Sequence, residues 1–409
     1  MHPASHEPSQ SPVRAEGGRR PLFGLPRPVW LLGLTSLLTD TASEAIYPLL
    51  PVYLTRVLGA SAVSLGLIEG FAEAANSVLK ILSGHFSDRW RVRRPIVIAG
   101  YGLSSAVRPL TALVASWPQL FAVRFVDRVG KGIRGAPRDA LLAACATPST
   151  RGRIFGFHRA MDHAGAMLGP LLASLFLFLL PGQYRTLFAI TAIPGALAVM
   201  SLFLLKEPVP EAPVTGAGPP PEPPLGWRSL PRQYFVVMGV LLVFTLGNSA
   251  DAFLLLRLTD EGISPAAIPL LWAALHAVKA ALSVWGGVKS DRWGRRLVIG
   301  AGWIVYALVY AGFAATTSAG ALVAWFLFYG VYYGLSEGTE KALIADLAPA
   351  SLRATAFGLY NAALGVGSLL ASVVFGLVWK LVSPAAAFAL GASLAVVATL
   401  LLAVFVKRR

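Results

Sequence analysis

Apolar residues run through the chain in twelve blocks separated by short polar breaks. They lie at about 30–54, 62–83, 96–115, 119–146, 155–180, 186–205, 233–257, 265–285, 297–316, 321–347, 354–381 and 385–405. Each is long enough to cross a hydrocarbon layer as a helix, which takes about 20 residues. The pattern predicts twelve transmembrane helices. Two stretches carry no apolar block. Residues 1–28 are polar, basic and rich in Pro and Ser. Lacking an apolar core, they read as a tail and not as a signal peptide. Residues 206–232 contain E-P-V-P-E-A-P-V-T-G-A-G-P-P-P-E-P-P, the composition of a semi-rigid spacer. A docking role for these prolines is the alternative. The expected organisation is a tail (1–28), a six-helix bundle (29–205), a linker (206–232), a second six-helix bundle (233–405) and a short tail (406–409).

Composition agrees with an all-α membrane protein. The 409 residues are 56% hydrophobic and only 13% charged, where soluble domains carry about 25% charge. The net charge of +15 raises nucleic-acid binding as a possibility, but the cations fall in alternate loops. One set comprises Arg89, Arg91, Arg93 and Arg94, then Arg151 and Arg153, then Lys206, Arg228 and Arg232. It continues with Lys289, Arg292, Arg295 and Arg296, and ends with Lys407, Arg408 and Arg409. The other loops hold isolated cations such as Arg56, Arg185 and Lys380. That asymmetry is the positive-inside pattern. It accounts for the charge without nucleic acid and places both termini in the cytosol, with the chain in a bacterial inner membrane. Cys145 is the sole cysteine, so no intrachain disulfide can form.

The two bundles repeat each other. Gly84-His-Phe-Ser-Asp88-Arg89-Trp90 matches Gly287-Val-Lys-Ser-Asp291-Arg292-Trp293 at an offset of 203. Arg151-x3-Phe155-Gly156 matches Arg353-x3-Phe357-Gly358 at an offset of 202. A parallel repeat of six helices is a transporter architecture with its site expected at mid-membrane between the halves. With these motifs the chain resembles the major facilitator superfamily over residues 29–405. The superfamily pattern G-x-x-x-D-R-x-G-R-R/K fits Gly287 to Arg296 closely, and Gly84 to Arg94 with Arg91 in place of a glycine. The resemblance implies an alternating-access transporter. It also implies gating roles for Gly84, Asp88, Arg89 and Arg94 and for Gly287, Asp291, Arg292 and Arg296, the aspartates latching the cytosolic side shut. Topology alone would explain the arginines but not an aspartate matched in both halves.

The chemistry lies in charges placed where lipid should be. Each costs about 2.5–3.5 kcal/mol at the centre of a span and needs a partner or water. The second block carries Glu69, Glu73, Asn76 and Lys80 on one helical stripe. They form either a structural network or one wall of an aqueous cavity. The fourth block carries Arg124, Asp127, Arg128, Lys131, Arg134 and Arg138 within a stripe about 120° wide, which must face the bundle interior. The same stretch holds a G-x-G-x-x-G at Gly130, Gly132 and Gly135. With no preceding strand it is not a dinucleotide loop, and Gly132 with Ala136 suits close helix contact. Arg124 stands near the superfamily's helix 4 arginine, but Asp127 and Arg128 replace the Gln and Gly of that R-x-x-Q-G pattern.

The first block holds Asp40 and Glu44 one turn apart. Asp40 is either a proton carrier or the salt-bridge partner of an arginine on the fourth block. The fifth block holds His158, Arg159, Asp162 and His163. Its Gly165-Ala-Met-Leu-Gly169-Pro170 resembles the G-x-x-x-G-P of proton-driven exporters, with Ala173 where a glycine is usual, and so favours antiport. In the second half Asn248 and Asp251, then His276 and Lys279, then Glu337, Glu340 and Lys341 punctuate the spans. Glu337 and Lys341 are spaced as an i,i+4 ion pair. Tyr329 and Tyr333 share a face and could touch substrate, whereas Trp272, Trp303 and Tyr332 read as packing.

The expected function is proton-coupled movement of a small anionic or zwitterionic organic solute, leaning to export by antiport. Asp40, Glu44, Glu69, Glu73 and Asp162 are the proton-coupling candidates. Five cations against one anion between Arg124 and Arg138, with His276 and Lys279 opposite, suit such a solute. The alternatives are symport of an organic anion or of a metal complex such as a siderophore, multidrug efflux, and a sensor or enzyme on a transporter scaffold. No nucleophile–base motif favours an enzyme. No His/Cys ligand spacing suggests a bound metal, and no motif suggests a cofactor. The expected partners are the small-molecule substrate and the bilayer, with the protein a monomer.

Overall fold

The computed structural model describes residues 24–50, 53–59, 62–206, 226–264 and 267–406, without the side chains of 55–56, 62–67, 69–70 and 73–74. The side chains of Glu69 and Glu73 therefore lie outside the described residues. So do residues 1–23 of the tail, 207–225 of the linker and the terminal 407–409.

Among the described residues, twelve helices cross the molecule. In the first half they are α1 (Arg27–Glu44), α2 (Ala62–Trp90), α3 (Arg94–Leu113), α4 (Trp117–Ala144), α5 (Arg151–Leu179) and α6 (Tyr184–Phe203). In the second half they are α7 (Arg232–Asp260), α8 (Ile268–Trp293), α9 (Arg295–Ala315), α10 (Ala319–Leu347), α11 (Arg353–Leu381) and α12 (Pro384–Phe405). Nine of them are long and apolar enough to span a membrane by composition alone. The other three, α1, α2 and α4, carry their polar residues inward. α4 is the G-x-G-x-x-G stretch drawn into one continuous helix.

The halves are separate bundles that meet along α5 with α8, α2 with α11, α5 with α10 and α4 with α11. The first two seams are equivalent under the repeat. In one, Gly84 faces the Ala354 backbone and Gly358 faces Lys80; in the other, Gly287 faces the Gly152 backbone and Gly156 faces Ser283. Only hydrogen at these positions lets the backbones approach so closely, as in other small-residue helix crossings. The second half has the denser aromatic core. Trp303 and Phe244 stack at 4.5 Å, and Tyr306, Tyr310, Tyr329, Phe313 and Phe388 are fully buried.

α7 is broken between Gly247 and Ala252. The break frees backbone groups that need partners in the membrane interior, and a polar cluster supplies them. Tyr306 donates to the Gly247 carbonyl at 2.8 Å, and Ser372 accepts from the Ala250 amide at 3.1 Å. Ser249 and Tyr310 share a hydrogen bond at 3.1 Å.

The glycines of α4 serve packing. Gly130 abuts Gly100 and Ser104 of α3, and Gly132 lies against Asn76 and Leu79 of α2. A methyl group built on Gly132 would sit 2.7 Å from Leu79 Cβ and 2.8 Å from the Asn76 carbonyl oxygen, whereas on Gly135 it would meet the Lys80 side chain at 3.6 Å. Gly132→Val should therefore destabilise the protein by about 1–3 kcal/mol through overpacking. Gly135→Ala should change stability by less than about 0.5 kcal/mol. Thermal unfolding of the purified variants in detergent separates the two.

Candidate functional site

Between the halves lies a cavity of about 270 Å³. The first half supplies most of its wall: Asp40 and Glu44 from α1, Lys80 from α2, Lys131, Arg134, Arg138 and Asp139 from α4, and Arg159, Asp162 and His163 from α5. The second half adds His276 from α8, Lys341 from α10 and Asn361 from α11. A small adjoining recess extends from Asp40 and Lys131 past Arg124, Asp127 and Arg128 to Arg108. Of the sequence candidates, the carboxylates of α1 and the charges of α4 thus converge on one space.

The charges divide into a neutralised set and an open set. Asp127 is held by Arg108 at 3.0 Å and Arg124 at 3.7 Å. Asp162 is bound by Arg159 at 2.9 Å, lies 3.5 Å from His158 and accepts a hydrogen bond from Ser36 of α1. Asp139 is gripped by Arg138 at 2.9 Å and by Lys341, across the interface, at 2.6 Å. The open set is different. Asp40 and Glu44 form no ion pair and accept no side-chain hydrogen bond among the described residues, so the expected alternative of a salt bridge from Asp40 to α4 is absent. Arg134 is 4% exposed, has no ion pair among the described residues and leaves its Nη1 without a hydrogen bond. Its guanidinium lies 4.0 Å from the centre of the Tyr101 ring. Arg134 is thus a buried donor on the same cavity wall as Asp40 and Glu44. His276 is 8% exposed and neither ring nitrogen has a hydrogen-bond partner among the described residues.

Several sequence candidates lie elsewhere. Tyr329 and Tyr333 both donate to Asp251, at 3.0 and 3.1 Å. Lys279 sits 3.5 Å from the Asp251 carboxylate and 3.5 Å from the Tyr333 ring centre. Asn248 donates to the Tyr332 hydroxyl at 3.3 Å. These residues fasten α8 and α10 to the break in α7 and do not line the cavity. Asn76 is buried beside Gly132 in the contact of α2 with α4.

The expected Glu337–Lys341 pair is replaced by contacts across the interface. Glu337 pairs with His163 at 2.8 Å and Arg159 at 3.5 Å, both on α5, while Lys341 reaches Asp139. Facing helices offer opposite charges at short range, and these override the local i,i+4 option. Asp139 and Lys341 lie 202 residues apart, the repeat offset itself, so opposite charges at equivalent positions could have revealed the pair. Arg108 carried no such signal, being a single cation near the end of an apolar block.

At the face where the basic loops gather, the repeat builds two like closures. Asp88, at the end of α2, accepts from the Thr355 and Ala354 amides at the start of α11, at 2.6 and 3.2 Å. Asp291, at the end of α8, accepts from the Gly152 and Arg153 amides at the start of α5, both at 2.8 Å. Each carboxylate caps the other half's helix, where free amides and the helix dipole favour an anion.

The arginines that join them are Arg93, 3.4 Å from Asp88, and Arg295, 2.5 Å from Asp291. Arg295 and Arg151 also hold Asp346, at 3.0 and 2.5 Å. Arg94 and Arg296 instead bind carbonyls that end α6 and α12 within their own halves, Phe203 at 3.0 Å and Ala403 at 2.9 Å. Arg89 and Arg292 are exposed and form no ion pair among the described residues. Sequence reading chose the second arginine of each Arg-Arg pair, and the closure uses the first. A recess of about 480 Å³ at this face, lined by Arg151, Asp291, Arg295 and Asp346, is the outer side of the same closure.

A model of the Major Facilitator Superfamily matches residues 32–259 and 236–409. An uncharacterized MFS-type transporter of Methanocaldococcus jannaschii is 37% identical over 389 residues, 92% of this chain and 94% of that one. An uncharacterized protein of Mycobacterium tuberculosis is 30% identical over 359 residues, 86% of each chain. The fold is also that of the human organic anion transporter MFSD10, with a TM-score of 0.71, 17% identity and coverage of 92% of this chain and 99% of that one.

Charge-assisted hydrogen bonds contribute about 1.5–3 kcal/mol each. Asp88→Asn or Asp291→Asn should therefore raise the population open at the basic face by about tenfold or more. A single cysteine at the cavity position Asn361, in a Cys145→Ala background, reports this. Labelling by an impermeant maleimide from the basic side should accelerate in either variant.

Proposed function

The chain belongs to the major facilitator superfamily, and on that premise we propose that it exchanges protons for a small zwitterionic organic solute by alternating access. The observation that carries this reading is the open set of charges: buried Arg134 beside Asp40 and Glu44, all without ion pairs among the described residues, in the cavity between the halves. Arg134 would hold the solute's carboxylate, a group that a guanidinium fork binds well. Asp40 and Glu44 would hold its ammonium group. A proton on Asp40 removes the charge that the ammonium needs, so solute and proton compete for one site. Competition of this kind gives antiport when each bound form crosses and the empty, deprotonated carrier does not.

The sign of the coupling depends on the solute. A purely anionic solute would be repelled by Asp40 and Glu44 and would bind better with them protonated, which gives symport. The excess of cations on the cavity wall supports that second reading. Efflux of greasy cations fits less well, because arginine and lysine dominate the wall. The proposal places the basic face in the cytosol, by the positive-inside rule.

A thermal-shift screen of small zwitterionic and anionic metabolites tests the reading, because a ligand at 100 times its Kd stabilises by about 2.7 kcal/mol. A zwitterion should stabilise the protein, and less so as pH falls. Stabilisation by anions alone, increasing as pH falls, would replace antiport with symport. Arg134→Gln should weaken binding by about tenfold or more, the loss expected when a charged hydrogen-bond partner is removed. Asp40→Asn should retain solute exchange in liposomes but lose transport driven by a pH gradient. An Asp40→Asn variant that still responds fully to the gradient would refute coupling at Asp40.

A further inference from the structure

Among the described residues, one buried acid has neither a charged partner nor a place on the cavity wall. Asp127, Asp139, Asp162, Asp251, Glu337 and Asp346 each have a lysine or arginine within 4 Å. Asp88 and Asp291 have helix amides and an arginine. Asp40 and Glu44 face the cavity. Glu340 is 6% exposed, does not line the cavity and has no ion-pair partner among the described residues. Two neutral donors meet its carboxyl group: the Trp303 indole N–H of α9 on Oε1 and the Tyr360 hydroxyl of α11 on Oε2, both at 3.1 Å.

The repeat shows what is unusual here. At an offset of 202, the residues equivalent to Trp303, Glu340 and Tyr360 are Tyr101, Arg138 and His158. The first half places a cation at this point and neutralises it with Asp139. The second half places an acid there and surrounds it with neutral donors. The charged groups nearby are already engaged. Glu337, one turn before Glu340 on α10, pairs with Arg159 and His163 of α5. Lys341, the next residue, is turned to Asp139 of α4. Nothing from α9 or α11 at this site brings a cation.

We propose that Glu340 is a proton-binding site of the second half, separate from the Asp40 site of the first. Two neutral hydrogen bonds compensate only part of a full charge held away from water. A carboxylic acid suits the same pocket, since its carbonyl oxygen accepts from Trp303 and its own O–H can donate to the Tyr360 hydroxyl oxygen, which accepts as well as donates. The proton would be exchanged with water when movement of the halves releases Glu337 from α5 and hydrates this end of α10.

Infrared titration of the full-length protein in lipid nanodiscs tests this without a substrate. A protonated-carboxyl C=O band should be present at neutral pH in the wild type and lost in Glu340→Gln. Tyr360→Phe keeps the carboxyl group and removes one hydrogen bond, so it should move that band to higher frequency. This second variant decides the matter if Glu340→Gln does not fold. A band that Tyr360→Phe leaves in place, or identical spectra for the wild type and Glu340→Gln, would overturn the proposal. Asp40→Asn should leave the band unchanged, so the two proton sites are tested independently.

Discussion

The constraint on which the rest of this structure depends is that no charge can stand unpaired in the interior of a membrane without water or a partner. The chain places more than a dozen ionisable groups there, and most are resolved by pairing across helices. Asp139 with Lys341, and Glu337 with Arg159 and His163, resolve theirs across the boundary between the halves. Such pairs offset a desolvation cost and add little net stability. Their effect is on specificity, because each half presents buried charge that only the other half satisfies. The interface is thereby fixed in register and remains separable, since water can replace each partner once the halves part.

Duplication supplies the frame, and departures from it supply the chemistry. The equivalent seams at Gly84 and Gly287, and the equivalent caps by Asp88 and Asp291, repeat one solution twice. The cavity does not. Every acid lining it comes from the first half, and the second half contributes His276, Lys341 and Asn361. Opposite charges occupy one equivalent position in Asp139 and Lys341, which lets two copies of the same site neutralise each other. The second half spends its polar residues differently, with tyrosines and Ser372 satisfying the broken backbone of α7.

Periodicity and composition sufficed for the helices, and the matched motifs for the repeat and the resemblance to the family, because each depends on residue type at fixed spacing. They also brought Asp40, Lys131 and Arg134 to the cavity, since charge on an apolar helix can only point inward. Pairing was not legible in the same way. Glu337 and Lys341 satisfy the local rule for a helix pair, and the rule fails because α5 and α4 present closer partners. Lys279 and Tyr333 look like cavity residues from their helix, yet the break in α7 brings Asp251 to them. A break of a few residues leaves almost no mark on an apolar pattern. Arg94 and Arg296 were preferred to their neighbours Arg93 and Arg295 on the resemblance alone. One residue along a helix turns the side chain by about 100°, enough to move it from the seam to its own half.

The distribution of bonds between the halves indicates which way the cavity can open. Among the described residues, every hydrogen bond and ion pair that joins them lies between the basic face and the level of His163 with Glu337. His163 is twelve residues into α5, about 18 Å from its start at 1.5 Å per residue, which is roughly the middle of a 30 Å hydrocarbon layer. Beyond that level no polar bond among the described residues ties the halves together. Separation at the far side therefore breaks few of these polar bonds, whereas separation at the basic face must release both aspartate caps, the Asp346 cluster and the mid-membrane pairs together. Groups that must release together behave as one switch, and its lowest members, Glu337 and Lys341, flank Glu340, with Lys341 and the Glu337 partners Arg159 and His163 on the cavity wall. Anything that changes charge at that level acts on the whole closure, so the proposed exchange of proton and solute would reach the gate through α10 and its contacts with α4 and α5.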